Sequence, residues 1–301
     1  MQTVLLALWP LFALIGLGYY LQQRKIYSSE FWAGAERLNY FILFPALLVG
    51  SLAKAPLDNP QLPRLALAVI LVVTIAWIIL QIAKRLLKWP ASRFGVKAQG
   101  IIRFNTYLGL AAVNTFYGTE GMAIAALIMA VLVPAGNITA VWALSAQNGI
   151  HWRQLLMPIL KNPLIQSCIV GVLINLTGIG LPFGTDEFLK LMAAASLPLG
   201  LLCIGAALQT QTIKDEAKPI IINSLLRLCL MPLCAYIIAR LLGLEQLELV
   251  LLVIFFALPT APTAYVLARQ LGGDSQLMAG IITLQTIFAA ITLPIIINLL
   301  N

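Results

Sequence analysis

Ten stretches of this 301-residue chain are apolar over the length that a helix needs to cross a membrane. They lie at residues 3–21, 33–53, 64–83, 98–117, 121–143, 163–181, 187–209, 218–242, 249–270 and 276–300. The hydrocarbon core of a bilayer is about 30 Å thick, and about 20 helical residues span it. The hydrophobic share of 61% also exceeds the apolar share of about 45–50% that is usual for a soluble domain. The sequence therefore predicts an all-α membrane protein with ten transmembrane helices, called spans 1 to 10 below.

Basic residues are concentrated in every second loop of this predicted topology. The loops after odd-numbered spans contain twelve Lys and Arg residues, whereas the loops after even-numbered spans and their flanks contain four. Cytoplasmic loops retain Lys and Arg, so both termini are predicted to be periplasmic or extracellular, in a bacterial inner membrane. The same asymmetry accounts for the formal net charge of +8, which is therefore no indication of nucleic-acid binding.

The two halves of the chain share positions at an offset of 154 residues. This offset places Asn105 on Pro259, Thr106 on Thr260 and Gly118 on Gly272. Residues 1–150 and residues 151–301 each contain five predicted spans. Because five is an odd number of crossings, the second half enters the membrane from the side opposite to the one from which the first half enters it. The sequence therefore predicts two inverted five-helix repeats, a recurrent plan of secondary transporters.

Spans 4 and 9 contain polar and helix-breaking residues at repeat-equivalent depths. These residues are Asn105, Thr106 and Gly109 in span 4, and Pro259, Thr260, Pro262 and Thr263 in span 9. Proline removes a backbone donor and obstructs the preceding turn, so two prolines three residues apart are predicted to unwind span 9. Unpaired backbone groups are costly in hydrocarbon, so broken helices should line a protein-bounded cavity, where half-helix N-termini favour an anion. The alternative is that these residues only kink two ordinary spans.

Three further polar residues are candidates for the same cavity. Arg103 either attracts an anion or extends to the inner headgroups. Arg227 lies inside span 8, where a charge costs about 2.5–3.5 kcal/mol on insertion scales, and pairs either with substrate or with carbonyl groups of span 9. Asn137 in span 5 either donates to the cavity or joins helices. No Asp or Glu lies well inside a predicted span, so no carboxylate relay for protons is expected.

The motifs of spans 4 and 9 resemble those of the auxin efflux carrier family, which includes plant PIN proteins and bacterial carriers of small dicarboxylates. The similar segments are Asn105–Thr106 with Gly109 and Tyr117–Gly118, ALPTAPTAYVLARQLGGD at 257–274, TLP at 292–294 and KNPLI at 161–165. In KNPLI, the residue types themselves predict Asn162 as the N-cap of span 6 and Pro163 as its first residue. Plant members carry proline before the Asn-Thr pair, where this chain has Phe104. The expected substrate is therefore a small carboxylate rather than auxin.

The resemblance also implies an architecture and a mechanism. Spans 1, 2, 6 and 7 would form a scaffold that makes a homodimer, and spans 3–5 with 8–10 a transport domain that moves like an elevator. The expected function is a secondary transporter of a small organic anion, such as a carboxylate or dicarboxylate, with no cofactor and no bound metal. A channel or a ligand sensor on the same fold is the alternative. An intramembrane enzyme is not expected, because paired acids, a Ser with a Lys or His base, and metal ligands are missing at mid-membrane depth.

Overall fold

The computed structural model describes residues 2–55, 60–145, 157, 160–210 and 216–300. Every regular element in these ranges is helical, and they contain no strand. In chain order the helices are α1 (Gln2–Gln23), α2 (Ser29–Leu38), α3 (Phe44–Leu52), α4 (Leu62–Leu86), α5 (Ala91–Ile102), α6 (Thr106–Ser145), α7 (Pro163–Thr177), α8 (Thr185–Ala206), α9 (Ala217–Leu225), α10 (Met231–Leu241), α11 (Gln246–Ala257), α12 (Thr263–Gln270) and α13 (Ser275–Leu300). Two π-helical turns, Asn39–Leu43 and Leu226–Leu230, join α2 to α3 and α9 to α10.

Six helical stretches in the described part of the chain are long and apolar enough to cross a membrane. They are Val4–Gln23, Leu62–Leu86, Ala91–Leu144, Thr185–Ala206, Ala217–Leu241 and Ser275–Leu300. The helices α7 and α11 are also apolar but shorter. The prediction of an all-α integral membrane protein is thus confirmed.

The stretch Ala91–Leu144 is not one straight rod. Its 54 residues would extend about 81 Å at about 1.5 Å per residue, far more than a bilayer core of about 30 Å. Gly118 divides α6. Its backbone has φ 53° and ψ −143°, a conformation that residues other than glycine rarely adopt. A Cβ atom built on Gly95 would lie 2.3 Å from Cδ2 of Leu144, so the end of α6 lies against α5. The chain therefore turns back after Gly118, as the separation of spans 4 and 5 requires.

Local capping sets where two of the helices begin. Ser28 accepts a hydrogen bond from the Phe31 amide at 3.2 Å, and α2 therefore begins at Ser29, four residues before the predicted start of span 2. Asn162 accepts hydrogen bonds from the amides of Leu164 and Ile165 at 2.9 and 3.4 Å, and α7 begins at Pro163. The predicted cap of span 6 is thus confirmed.

Two pairs of helices have matching lengths and a constant spacing. The stretches Leu62–Leu86 and Ala217–Leu241 contain 25 residues each and begin 155 residues apart. The helices α5 and α11 contain 12 residues each, and their starts at residues 91 and 246 are again 155 residues apart. Both α5 and α11 are followed by a short non-helical segment, at 103–105 and at 258–262. These matches agree with the sequence offset of the predicted repeat.

The helices pack as two neighbouring groups. In one group α1 packs against α8, and α3 packs against both α7 and α8. A Cβ atom built on Gly205 of α8 would lie 1.8 Å from the carbonyl oxygen of Ile15, so the absence of a side chain lets α1 and α8 touch through their backbones. In the other group α4 and α5 pack against α6, and α10 packs against α11. Residues Leu249–Ala257 of α11 are all buried, because neighbouring helices cover α11 on every side.

Candidate functional site

The first helix break lies between α5 and α6. The helix α5 ends at Ile102, and the backbone of Arg103 is extended, with φ −72° and ψ 155°. The side-chain oxygen Oδ1 of Asn105 accepts a hydrogen bond from the Leu108 amide at 3.2 Å, three residues into α6. Asn105 therefore caps the N-terminus of α6, a position where Asn is among the preferred residues.

The second break lies between α11 and α12, and it meets the first. The helix α11 ends at Ala257, and α12 begins at Thr263, so both Pro259 and Pro262 lie in or beside the gap, as predicted for an unwound turn. The carbonyl oxygen of Pro259 accepts a hydrogen bond of 2.7 Å from the Asn105 amide. Two segments that are 154 residues apart in sequence are thus joined backbone to backbone.

Arg227 stabilises the ends of the two helices that precede the breaks. Its guanidinium donates hydrogen bonds to the carbonyl oxygens of Leu258 at 2.7 Å, Ile101 at 2.8 Å and Phe255 at 2.9 Å. The last carbonyls of a helix have no partner within the helix and carry partial negative charge, so a cation satisfies and neutralises them. Arg227 is fully buried and does not line the cavity described below. Arg227 was considered as a partner of the substrate or of carbonyl groups in span 9, and the contacts seen are with carbonyl groups.

Thr260 also makes contacts within the protein. Its amide donates to Oε1 of Gln285 at 2.8 Å, and its hydroxyl donates to the carbonyl oxygen of Gln99 at 3.1 Å. The Gln285 amide in turn donates to the Gly100 carbonyl and to Oδ1 of Asn223, both at 3.0 Å. Thr260 is completely buried in this network, which fastens the second break to α5, α9 and α13.

A cavity of about 80 Å³, called the central cavity below, lies where the two breaks meet. Six of the ten predicted site residues line it: Arg103, Asn105, Thr106, Asn137, Pro262 and Thr263. The other four, Gly109, Pro259, Thr260 and Arg227, do not line it. A Cβ atom on Gly109 would lie 2.6 Å from Cδ1 of Leu258, so this glycine instead allows α6 to pack closely against the second break.

Two hydrogen-bonding atoms of residues that line the central cavity are buried and have no partner in the described part of the chain. They are the side-chain nitrogen Nδ2 of Asn105 and the hydroxyl of Tyr107. Asn105 is fully buried, and 8% of Tyr107 is exposed. A buried donor without a partner costs about 1–3 kcal/mol, and native proteins keep few such groups outside functional sites. Two residues that line the central cavity therefore carry donors that have no partner among the described residues.

Arg103 provides a positive charge at the same place. Its guanidinium donates to Oε1 of Gln99 at 3.2 Å and to the hydroxyl of Thr263 at 3.3 Å. Arg103 therefore bridges the two breaks rather than extending along the membrane towards headgroups. Among the described residues no carboxylate forms an ion pair with Arg103, so its charge is available to a ligand.

Some residues of the central cavity come from the other group of helices, and no local sequence pattern predicts them. These residues include Glu36 of α2, Tyr40 of the following π turn and Asn162 at the start of α7. Glu36 lies about two turns inside α2, because this helix begins four residues before the predicted start of span 2. The capping signal of Ser28, rather than hydropathy, is the feature that locates this start.

The described residues contain no group of three or more His, Cys, Asp or Glu side chains that could hold a metal ion. The polar side-chain groups at the central cavity are amides, hydroxyls and a guanidinium, which can donate hydrogen bonds, and a single carboxylate, which accepts them. The donors suit an organic ligand with hydrogen-bond acceptors.

Comparison with known proteins extends these observations. Residues 151–297 match the family model described as membrane transport protein. An uncharacterized transporter of Methanothermobacter thermautotrophicus is 24% identical over 301 residues, which cover 98% of this chain and 96% of that protein. An uncharacterized transporter of Methanocaldococcus jannaschii is 22% identical over 98% of this chain and 97% of its own length. The uncharacterized transporter YfdV of Escherichia coli K12 is 23% identical over 87% of each chain.

Proposed function

Since the chain belongs to the membrane transport protein family, the family of the auxin efflux carriers, we propose that it is a secondary transporter of a small organic anion. The observation that carries this proposal is the junction of the two breaks through the Asn105–Pro259 hydrogen bond, beside a cavity with unpaired donors. Unwound backbone within a membrane is tolerated where it is buried in protein or lines a cavity, and transporters place their substrate at such breaks.

The chemistry of the central cavity supports an anion as the substrate. Arg103 supplies a positive charge, and Asn105 and Tyr107 supply donors. The helices α6 and α12 both begin at the cavity, and the N-terminus of a helix carries partial positive charge. A cavity of about 80 Å³ holds a small solute, so a small carboxylate or dicarboxylate is the substrate class we propose.

The mechanism we propose is elevator-type alternating access. The helices α1, α2, α3, α7 and α8 would be the scaffold, which also forms a homodimer in the membrane, and the remaining helices would be the transport domain. The central cavity fits this division, because Glu36, Tyr40 and Asn162 come from the proposed scaffold whereas Arg103, Asn105 and Thr263 come from the proposed transport domain. A substrate bound there would lie at the boundary that moves.

We further propose that the fold consists of ten spans in two inverted five-helix repeats, 1–150 and 151–301. The matched helix lengths at a spacing of 155 residues support the repeat. Two related halves in opposite orientation would give inward-open and outward-open states of similar energy. The distribution of Lys and Arg supports periplasmic or extracellular termini in a bacterial inner membrane.

A thermal-shift screen of the purified chain against small mono- and dicarboxylates, with matched amines and sugars, tests the substrate class. A ligand that binds only the folded protein raises the melting temperature, so at least one carboxylate should raise it in a saturable manner. Stabilisation by amines or sugars, with no effect of any carboxylate, would contradict the proposal.

A further inference from the structure

A second and larger cavity opens on the side of the molecule, away from the two breaks. This lateral cavity has a volume of about 550 Å³ and lies between α4, the loop and helix from Trp89 to Ile101, and the helix run from Glu216 to Met231. Its walls are formed mainly by aliphatic side chains such as Ile79, Leu226 and Leu230. Ile79 and Leu230 are largely exposed, so the cavity faces the surroundings of the protein rather than its interior.

One end of the lateral cavity is basic. Arg93, Lys97 and Lys218 line it there, together with Trp89 and Glu216. The Arg93 guanidinium is already held by the carboxylates of Glu216 and Asp274. In the described part of the chain no carboxylate forms an ion pair with Lys97 or Lys218. Lys97 and Lys218 therefore stand at the mouth of an apolar cavity without an ion pair among the described residues.

The position of Lys97 shows how these charges are arranged. Its ammonium lies 3.7 Å from the centre of the Trp89 ring, and its side chain is half-buried. A ring face attracts a cation but supplies no counter-charge. Trp and basic residues are typical of the zone where hydrocarbon meets headgroups. Lys97 and Trp89 together are thus of the residue types that contact lipid headgroups.

We propose that the lateral cavity binds one anionic glycerophospholipid, with its phosphate between Lys97 and Lys218 and an acyl chain along Ile79, Leu226 and Leu230. The charge at the mouth and the aliphatic walls match the two ends of such a lipid. Basic pockets between transmembrane helices are known to bind anionic headgroups, and each Lys or Arg near a membrane surface contributes about 1 kcal/mol to this attraction. The wall residues belong to α4 and to the run from α9 to α10, so the lipid would join these elements.

Binding of phosphatidylglycerol to the purified full-length chain tests this proposal, with phosphatidylcholine of the same acyl chains as the neutral control. The lipid stoichiometry and affinity would be measured by native mass spectrometry, and the melting temperature would be followed in the same detergent. We expect one tightly held phosphatidylglycerol, saturable stabilisation, and much weaker binding of phosphatidylcholine. Inorganic phosphate and glycerophosphate should give no comparable stabilisation, because they lack the acyl chain.

Two variants test the headgroup contacts and the acyl-chain contacts of the proposed lipid one at a time. The double change Lys97→Gln with Lys218→Gln should weaken phosphatidylglycerol binding about 25-fold, or about fivefold for each charge removed. Arg85→Gln with Lys88→Gln is the matched control, because it removes two charges from the same basic end without touching the lateral cavity. Ala83→Phe places a ring in the cavity and should reduce binding while leaving both lysines in place.

Equal binding of phosphatidylglycerol and phosphatidylcholine by the parent chain would overturn the proposal, since the cavity would then hold only ordinary surrounding lipid. Equal losses in the Lys97/Lys218 variant and in the Arg85/Lys88 control would also overturn it, because the effect would then be general surface charge. The native mass spectra of the parent chain decide the first point even if a variant fails to fold.

Discussion

At the scale of single residues, the central cavity combines one positive and one negative side chain. Arg103 and Glu36 both line it, Arg103 from the non-helical segment after α5 and Glu36 from α2. They do not form an ion pair with each other. A bound anion would be attracted by Arg103 and repelled by Glu36 if that carboxylate is ionised. An ionised Glu36 would limit how strongly the site holds a negative ligand.

Glu36→Gln should therefore strengthen the binding of a carboxylate. Two charges about 8 Å apart at an effective dielectric constant of about 40 interact by about 1 kcal/mol, which corresponds to about a fivefold gain in affinity. Isothermal titration with the carboxylate found in the thermal-shift screen measures this gain. Glu30→Gln is the matched control, because Glu30 lies in the first turn of the same helix, is exposed and does not line the cavity. Unchanged or weaker binding in Glu36→Gln would show that Glu36 does not oppose the anion.

At the scale of elements, one side chain from a third helix run joins the ends of the two helices that precede the breaks. Arg227 lies in the π turn between α9 and α10 and donates to carbonyls of both α5 and the segment after α11. π turns of this kind are frequent at functional sites, where they alter the direction of side chains. The ends of α5 and α11 are therefore joined before any substrate is bound.

Arg227→Lys should destabilise the protein while leaving the lining of the central cavity intact. Lysine keeps the charge but has a single ammonium group, which cannot reproduce the planar fork that reaches three carbonyls. Each charge-assisted hydrogen bond that is lost contributes about 1.5–3 kcal/mol, so the melting temperature should fall by several degrees. Arg240→Lys in α10 is the control, because Arg240 is exposed and its guanidinium lies over the ring of Tyr236. Normal melting combined with lost ligand binding would instead assign Arg227 to the substrate.

The elements also show what the sequence does and does not predict. The prolines at 259 and 262 and the Asn-Thr pair at 105–106 are local signals, and the helix breaks lie where these signals place them. Thr260 was predicted from the same pattern to face the cavity, but its orientation depends on Gln285 and Gln99, which are distant in sequence. Glu36 and Tyr40 reach the cavity from another helix group, and no local pattern indicates such a tertiary contact.

At the scale of the whole molecule, the proposed inverted repeat fixes the side of the membrane on which each loop lies. Single cysteines at Lys88 and at Asn301, in a chain whose four natural cysteines are replaced by alanine, should react with an impermeant thiol reagent from opposite sides. The reason is that Lys88 follows span 3 and Asn301 follows span 10, and the basic loops are expected inside. As a control, each single-cysteine variant is also labelled after the membrane has been disrupted, and this labelling shows that its thiol is reactive. Labelling of both from the same side would contradict the ten-span arrangement.

The central claim is that a small anion binds at the junction of the two breaks and is carried across the membrane from there. Counterflow of a labelled carboxylate into proteoliposomes that contain the unlabelled compound tests it most directly. Asn105→Ser keeps a capping oxygen for α6 but removes the unpaired amide donor, and a lost hydrogen bond to a charged group is worth about 1.5–3 kcal/mol. Asn114→Ser is the control, because Asn114 lies on the same helix but is exposed and outside the cavity.

We predict that the parent chain and Asn114→Ser accumulate the labelled carboxylate transiently above its equilibrium level, as a carrier does and a channel or sensor does not. Asn105→Ser should need about 10- to 100-fold more substrate for the same counterflow. Folded Asn105→Ser protein that transports like the parent would contradict the proposed site, and a parent chain that binds the carboxylate without counterflow would contradict transport itself.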